Sequence, residues 1–262
     1  MLQADDIGMT FQRGSRRVTA LEGVSLTFAR GQFSCILGPS GSGKSTLLHI
    51  LGGFEQPTTG DITLDDCRVE RPTRRLGMVF QHASLFPWRN IERNVAWPIE
   101  ANGGSRKQAC NTARELLGLV GLRGFERAYP AELSGGMRQR AALARTLAME
   151  PEVLLMDEPF GALDAQTREL MQEELSRIWQ ESRLTVVFVT HDISEAVFLG
   201  DRVVLLTARP GRVAHDITID LERPRDGETK KSKELLDYHN DLWDLLRAEI
   251  DNADAAVVGV TS

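Results

Sequence analysis

Lys44 and Ser45 lie near the end of the run Gly38-Pro39-Ser40-Gly41-Ser42-Gly43-Lys44-Ser45-Thr46, which satisfies the pattern G-x-x-x-x-G-K-[ST]. A tight glycine-rich turn lets successive backbone N–H groups point inward at the β- and γ-phosphates of a nucleoside triphosphate. A helix opening near Lys44 adds its positive dipole end. Lys44 supplies a fixed positive charge, and the Ser45 hydroxyl suits a Mg²⁺ ion bridging two phosphates. The chemistry implied is nucleotide binding, with Mg²⁺ as the accompanying ion.

Two further groups of residues bear on that chemistry. Residues 133–140 read Leu-Ser-Gly-Gly-Met-Arg-Gln-Arg. Here Ser134, Gly135 and Gly136 open a helix and can offer a hydroxyl and N–H groups to an anion. A second phosphate device is redundant inside one chain, so its use falls on the nucleotide of another copy. Further on, Val153-Leu154-Leu155-Met156 runs into Asp157 and Glu158. Asp157 suits Mg²⁺ through water, and Glu158 suits a water that must be oriented or deprotonated. Two adjacent carboxylates beside a triphosphate require a cation to be tolerated.

The phosphate loop, Gln81, the 133–140 signature, Asp157-Glu158-Pro159, Gly161-Ala162-Leu163-Asp164 and His191 occur in an order and spacing that resemble the ATPase subunits of ABC transporters, over roughly residues 2–215. The resemblance implies ATP as the nucleotide. It implies Lys44 on the phosphates, Ser45, Gln81 and Asp157 at Mg²⁺, and Gln81 also near the attacking water. Glu158 is then the catalytic carboxylate, His191 a γ-phosphate contact and Phe11 an aromatic that stacks on adenine. It also implies a head-to-tail homodimer in which Ser134, Gly135 and Gly136 meet the ATP of the other subunit and Asp164 crosses the interface. Taken singly, Phe11 also reads as a core residue, Gln81 as a turn residue and Glu158 as a cap before Pro159; the place of Gln81 between the two phosphate motifs and the adjacent Asp157 favour the functional readings of Gln81 and Glu158. Met137 stands where the family usually has glutamine and Gly161 where serine is frequent; neither position is assigned to phosphate or water.

Gln81-His82-Ala83-Ser84-Leu85-Phe86-Pro87-Trp88-Arg89-Asn90, Thr190-His191-Asp192-Ile193-Ser194-Glu195-Ala196 and Arg209-Pro210-Gly211-Arg212-Val213 look like the importer branch for nitrate, aliphatic sulfonates and taurine. That branch implies a separate transmembrane permease, an extracytoplasmic solute-binding protein acting through it, and a position at the cytoplasmic face of the cell membrane. An importer for a thiamine precursor and a soluble ABC ATPase unconnected with transport are the alternatives. Phe86 and Trp88 suit a groove for a permease helix, or equally the core of a helical insert.

The elements that must hold these residues are of α/β type. Strand-like runs cover Ile7 to Phe11, Val18 to Phe28, Phe33 to Leu37, Asp61 to Leu64 and Leu76 to Phe80, with a helix from Lys44 to Leu51. Helical patterning takes over from about residue 83 to 148, with a clear helix from Ala109 to Leu119. Strands return at 153–156, 185–189 and 202–207 around a helix from Ala165 to Gln180. The expected architecture is a P-loop NTPase core (1–82 and 149–215) with an antiparallel β subdomain, an inserted α-helical subdomain (83–148) and a tail (216–262). Leu235, Tyr238, Leu242, Leu245 and Ile250 form the docking face of the tail helix.

Composition bounds the rest. The 262 residues are 42% hydrophobic and 26% charged, with 31 Lys and Arg against 37 Asp and Glu. The net charge of −6 gives no electrostatic footprint for nucleic acid or anionic lipid. No apolar run approaches the roughly 20 residues of a membrane-spanning helix. Cys35, Cys67 and Cys110 lack metal-type spacing and read as reduced packing residues.

Overall fold

The computed structural model describes residues 1–258 except Ser15, Ala162 and Arg183, so Ala162 of the Gly161–Asp164 motif lies outside the described residues. Along the chain the elements are β1 (Leu2–Arg13), β2 (Arg16–Phe28), β3 (Phe33–Leu37), α1 (Lys44–Leu51), β4 (Thr59–Leu64), β5 (Cys67–Arg68) and β6 (Leu76–Val79). There follow α2 (Ile91–Ala101), α3 (Arg106–Leu119), α4 (Gly135–Leu147), β7 (Val153–Asp157), α5 (Ala165–Ser182), β8 (Thr185–Val189), α6 (Ile193–Leu199), β9 (Arg202–Leu206), β10 (Val213–Thr218) and α7 (Lys233–Val258). They fall into two units, Met1–Pro72 with Arg183–Ser262, and Thr73–Ser182.

The first unit carries an antiparallel sheet of order β2-β1-β4-β5. β1 begins five residues before the run expected from the sequence, because Leu2 to Ala4 pair with both β2 and β4 and Asp5 still pairs with Asp61 of β4. Asp6 takes a left-handed φ of 50° where the β1–β2 register shifts between Ala4 and Ile7, a bulge that absorbs a pair resembling a turn. The same unit holds β3 between β8 and β9, all three parallel, with β10 antiparallel on β9. Every residue of β3 and β8 is buried. This suits strands covered on both faces and explains their unbroken apolar sequences.

Arg225 holds the C-terminal segment to this core. Its guanidinium donates to the carbonyls of Val197, Phe198 and Gly200 at 2.8–3.2 Å and to Leu221 at 3.1 Å, so it closes the open carbonyl end of α6. Burial, with Arg223 nearby, lowers its pKa to about 10.

α7 buries Leu235, Leu242 and Leu246, and the Tyr238 hydroxyl accepts from the Asp220 amide at 3.1 Å. Ile250 departs from expectation. It is 40% exposed, and Leu246 takes its place on the docking face, since Ile250 lies about 80° round the helix from Leu242. The cysteines divide as well: Cys35 is buried, with burial pushing its thiol pKa up, whereas Cys67 is exposed and is not a packing residue.

In the second unit β6 and β7 pair in parallel from Leu76↔Val153 to Val79↔Met156. α2, α3 and α4 lie between them in sequence. Each starts at a side-chain cap (Asn90, Ser105 and Ser134) that accepts the backbone N–H three residues on. α4 is pinned to β6 by the Gln139 amide donating to the Phe80 carbonyl at 3.1 Å and the Thr146 hydroxyl donating to the Met78 carbonyl at 3.3 Å. No described helix is long and apolar enough to cross a membrane.

Candidate functional site

In the first unit, β3 delivers the chain into the 38–46 loop, and the backbone of that loop can be followed by residue type. Gly41 and Gly43 hold φ of 79° and 86°, values that favour glycine. A Cβ at Gly43 would come 2.7 Å from Leu21 Cδ2 and 2.9 Å from the Ala20 carbonyl oxygen. A Cβ at Gly38 would lie 2.9 Å from both the Leu206 carbonyl oxygen and Ser42 Oγ. The loop is therefore wrapped closely by β2 and β9, with no room for a side chain at Gly38 or Gly43. The Lys44 ammonium is buried and donates to the carbonyls of Gly38 at 2.8 Å and Pro39 at 3.0 Å. Those carbonyls hold a cation inside the turn that leads into α1. Ser42 Oγ is buried without a hydrogen-bond partner, and no side chain caps α1. An orphaned buried hydroxyl and an uncapped helix start both fit an anion. Ser40 and Ser45 are exposed.

His191 leaves the sheet at the same edge. β3 and β8 are in register at Ile36↔Val189, and the Thr190 amide donates to the Ile36 carbonyl at 3.2 Å. The phosphate loop and the His191 turn thus follow neighbouring parallel strands at their carboxyl ends, the usual ligand edge of such a sheet. His191 is exposed. Its turn is fixed by a buried pair not singled out from the sequence: the Thr190 hydroxyl donates to Glu195 Oε2 at 2.6 Å. Asp192 caps α6 by accepting the Glu195 amide at 3.1 Å. The legible signal was Asp192-Ile193-Ser194-Glu195, an acidic cap followed three residues later by glutamate. Phe11 sits on β1 opposite Val18, away from the core at 41% exposure.

In the second unit the parallel β6–β7 pair sends Gln81 and the Asp157-Glu158 carboxylates out at one edge. Asp157 is buried at the end of β7, and Glu158 adopts a left-handed φ of 42°. That conformation is uncommon for a residue with a side chain and recurs where function over-determines the backbone. The turn is closed by the Gly161 amide donating to the Glu158 carbonyl at 3.1 Å. A Cβ at Gly161 would meet Glu158 atoms at 3.5–3.9 Å, so the departure from serine is not dictated by space.

Ser134 is exposed at the start of α4, where its hydroxyl accepts the Met137 amide at 3.3 Å. A Cβ at the buried Gly136 would fall 2.6 Å from Thr167 Cγ2, so the signature backbone lies directly on α5. Asp164 accepts the Thr167 amide at 3.0 Å at the start of α5, and this bond holds its carboxyl below the usual aspartate range.

The loop after Gln81 is built on Asn94. Its buried side chain accepts the Phe86 amide at 2.7 Å and donates to the carbonyls of Phe86, Arg89 and Asn90 at 2.9–3.1 Å. The Arg89 guanidinium lies 4.3 Å from the Trp97 ring centre and 5.5 Å from that of Phe86. Trp88 projects from this cluster at 72% exposure, so it is not a core residue of the helical segment. Among the described residues no three His, Cys, Asp or Glu side chains converge on a common metal position. Ser45 in the first unit and Asp157 in the second each carry oxygen donors, the ligand type that Mg²⁺ takes.

Residues 21–161 match the ABC transporter family model. The nitrate import ATP-binding protein of Synechocystis is 46% identical over 256 residues, 94% of this chain and 95% of that one. The taurine import ATP-binding protein of Pseudomonas syringae is 48% identical over 223 residues, 85% of each. Among solved structures, the dimeric post-hydrolysis state of an ATP-binding cassette bound to ADP and Pi aligns with a TM-score of 0.76 at 33% identity, covering 85% of this chain and all of that one. The phosphate loop, the signature helix and the β7 carboxylates thus stand in a shared sequence and a shared fold, and the chain belongs to the ABC transporter family.

Proposed function

We propose that this chain is the ATP-hydrolysing, energy-coupling subunit of an ABC importer for a small oxyanion-bearing nutrient, nitrate, an aliphatic sulfonate or taurine. The observation that carries the reading is the phosphate loop: left-handed glycines, a buried Lys44 ammonium and a buried, unpartnered Ser42 hydroxyl around one turn. ATP binds with its phosphates on the 38–46 backbone and Lys44, and with its adenine against Phe11. Ser45, Gln81 and Asp157 would hold Mg²⁺, which would supply charge neutralisation at the phosphates when bound. Glu158 takes a proton from the attacking water, Gln81 orients that water, and His191 contacts the γ-phosphate. Ser134, Gly135 and Gly136 complete the site of a second copy, so the working unit is a homodimer.

The exposed Trp88, on a loop anchored by Asn94 beside Gln81, supports docking of a permease helix at this position. Through that permease the chain lies at the cytoplasmic face of the membrane and receives the signal of an extracytoplasmic solute-binding protein. The names of the two import proteins above support the cargo class. A host lacking this gene is expected to lose growth on a sulfonate as sole sulfur source, or on nitrate as sole nitrogen source, and to grow normally on sulfate or ammonium. Normal growth on all four, with a co-purified binding protein that ignores sulfonates and nitrate in calorimetry, rejects the cargo assignment in favour of another nutrient such as a thiamine precursor.

A further inference from the structure

The C-terminal helix α7 has a second apolar face besides the one that docks it. Leu236, Trp243 and Ile250 recur at seven-residue spacing and are 50%, 52% and 40% exposed. They lie roughly a quarter-turn from the buried Leu235, Leu242 and Leu246. Each is followed by an exposed aspartate, Asp237, Asp244 and Asp251, so an acidic ribbon runs alongside the apolar stripe. Strict seven-residue spacing drifts about 20° per repeat on a straight helix, the geometry of a seam wound by a second helix. Residues 233–258 also lie beyond the 21–161 region that matches the family model. None of Leu236, Trp243 and Ile250 has a part in the nucleotide chemistry argued above.

We infer that this face docks a basic amphipathic helix of a partner protein, with apolar residues at three- and four-residue spacing flanked by Lys or Arg opposite Asp237, Asp244 and Asp251. Charge decides among the possible occupants. An antiparallel second copy with Trp243 level with its counterpart would bring Asp244 to within about 3 Å in height of the other Asp244, and Asp237 likewise of Asp251, on the same side of the pair, a repulsive arrangement. Arg247, which borders the stripe, already lies 4.0 Å from Asp251. An anionic membrane surface would meet the same ribbon of carboxylates and be repelled. A helix flanked by Lys or Arg satisfies both halves of the pattern, with the Trp243 ring as its central anchor.

The test places a photoreactive benzophenone amino acid at position 243 of the full chain, expressed from its own locus in its native host, and sequences the peptide it captures on irradiation. The expected product is a heterologous segment with the basic amphipathic pattern, its yield reduced about tenfold or more by the exposed triple change Asp237→Lys, Asp244→Lys and Asp251→Lys. Unchanged thermal melting and basal ATPase of that triple variant show that the loss is one of docking. Capture of a second copy of this chain, of lipid or of a segment without Lys or Arg overturns the inference. So does the absence of any adduct, or a yield indifferent to the charge reversal.

Discussion

The Thr190 hydroxyl donates to Glu195 Oε2 at 2.6 Å with both side chains buried, and the same hydroxyl oxygen accepts the Asp192 amide at 3.0 Å. One threonine thereby fixes both ends of the turn that carries His191. Thr190→Val keeps the shape and removes the hydroxyl, and with it one hydrogen bond to the buried Glu195 and one from the Asp192 amide. It is expected to cost about 1–3 kcal/mol of stability and to lower ATP hydrolysis, whereas Thr190→Ser preserves both. Urea denaturation and phosphate release on the two variants check this. Equal behaviour of the valine and serine variants would show that the turn does not depend on the hydroxyl.

Two glycines of the nucleotide motifs should respond in opposite ways. Gly43→Ala places a methyl at φ 86° against Leu21 and the Ala20 carbonyl oxygen, so nucleotide affinity and stability both fall. Gly161→Ser meets only ordinary contacts and should retain wild-type folding and hydrolysis within about twofold, as expected of a site without strain. Calorimetric titration with a non-hydrolysable ATP analogue and a thermal melt distinguish the two.

Asp164 caps α5 as a carboxylate whose folded pKa is depressed by the Thr167 amide. Its contribution is therefore fully present above the ordinary aspartate range and is lost as pH falls through the lower folded value. Asp164→Ala should lower the denaturation midpoint at pH 7, with the gap to wild type closing below about pH 4. A gap that persists at pH 2 would assign the effect to something other than the charged cap.

Trans assembly can be read by crosslinking. Cys67 and Cys110 are accessible to some degree, whereas Cys35 is buried with its thiol pKa raised, so Cys67→Ser with Cys110→Ser gives a quiet background. In it, Ser40→Cys with Ser134→Cys should form ATP-dependent dimers joined by a disulfide between chains. Disulfides confined to single chains would contradict a site shared between copies.

Where a segment's structure is set by its own residues, the sequence was readable. β3, α1 and β8 begin and end at the expected residues, because continuous apolar runs and a glycine-rich stop define them locally. The phosphate loop, the Asp157-Glu158 strand end and the Ser134 cap were legible for the same reason. The left-handed φ of Glu158, the Thr190–Glu195 bond and the Asn94 anchor were not, since each depends on neighbours brought together by folding. Arg225 was not singled out within the 216–262 tail, and only the open carbonyl end of α6 gives it a buried role. Ile250 and Leu246 changed places because two apolar faces of one helix overlap in sequence, and periodicity alone does not say which one is buried.

Glu158, which follows β7, is proposed above to act on water attacking a nucleotide held by the Lys44 loop. Phosphate release from ATP by the purified chain, wild type against Glu158→Gln, with binding of labelled ATP measured on the same samples, tests it most directly. The expected result is a loss of about 100-fold or more in hydrolysis, with ATP affinity nearly unchanged and an ATP-dependent dimer on gel filtration. Wild-type hydrolysis by Glu158→Gln, or loss of ATP binding together with hydrolysis, would contradict it.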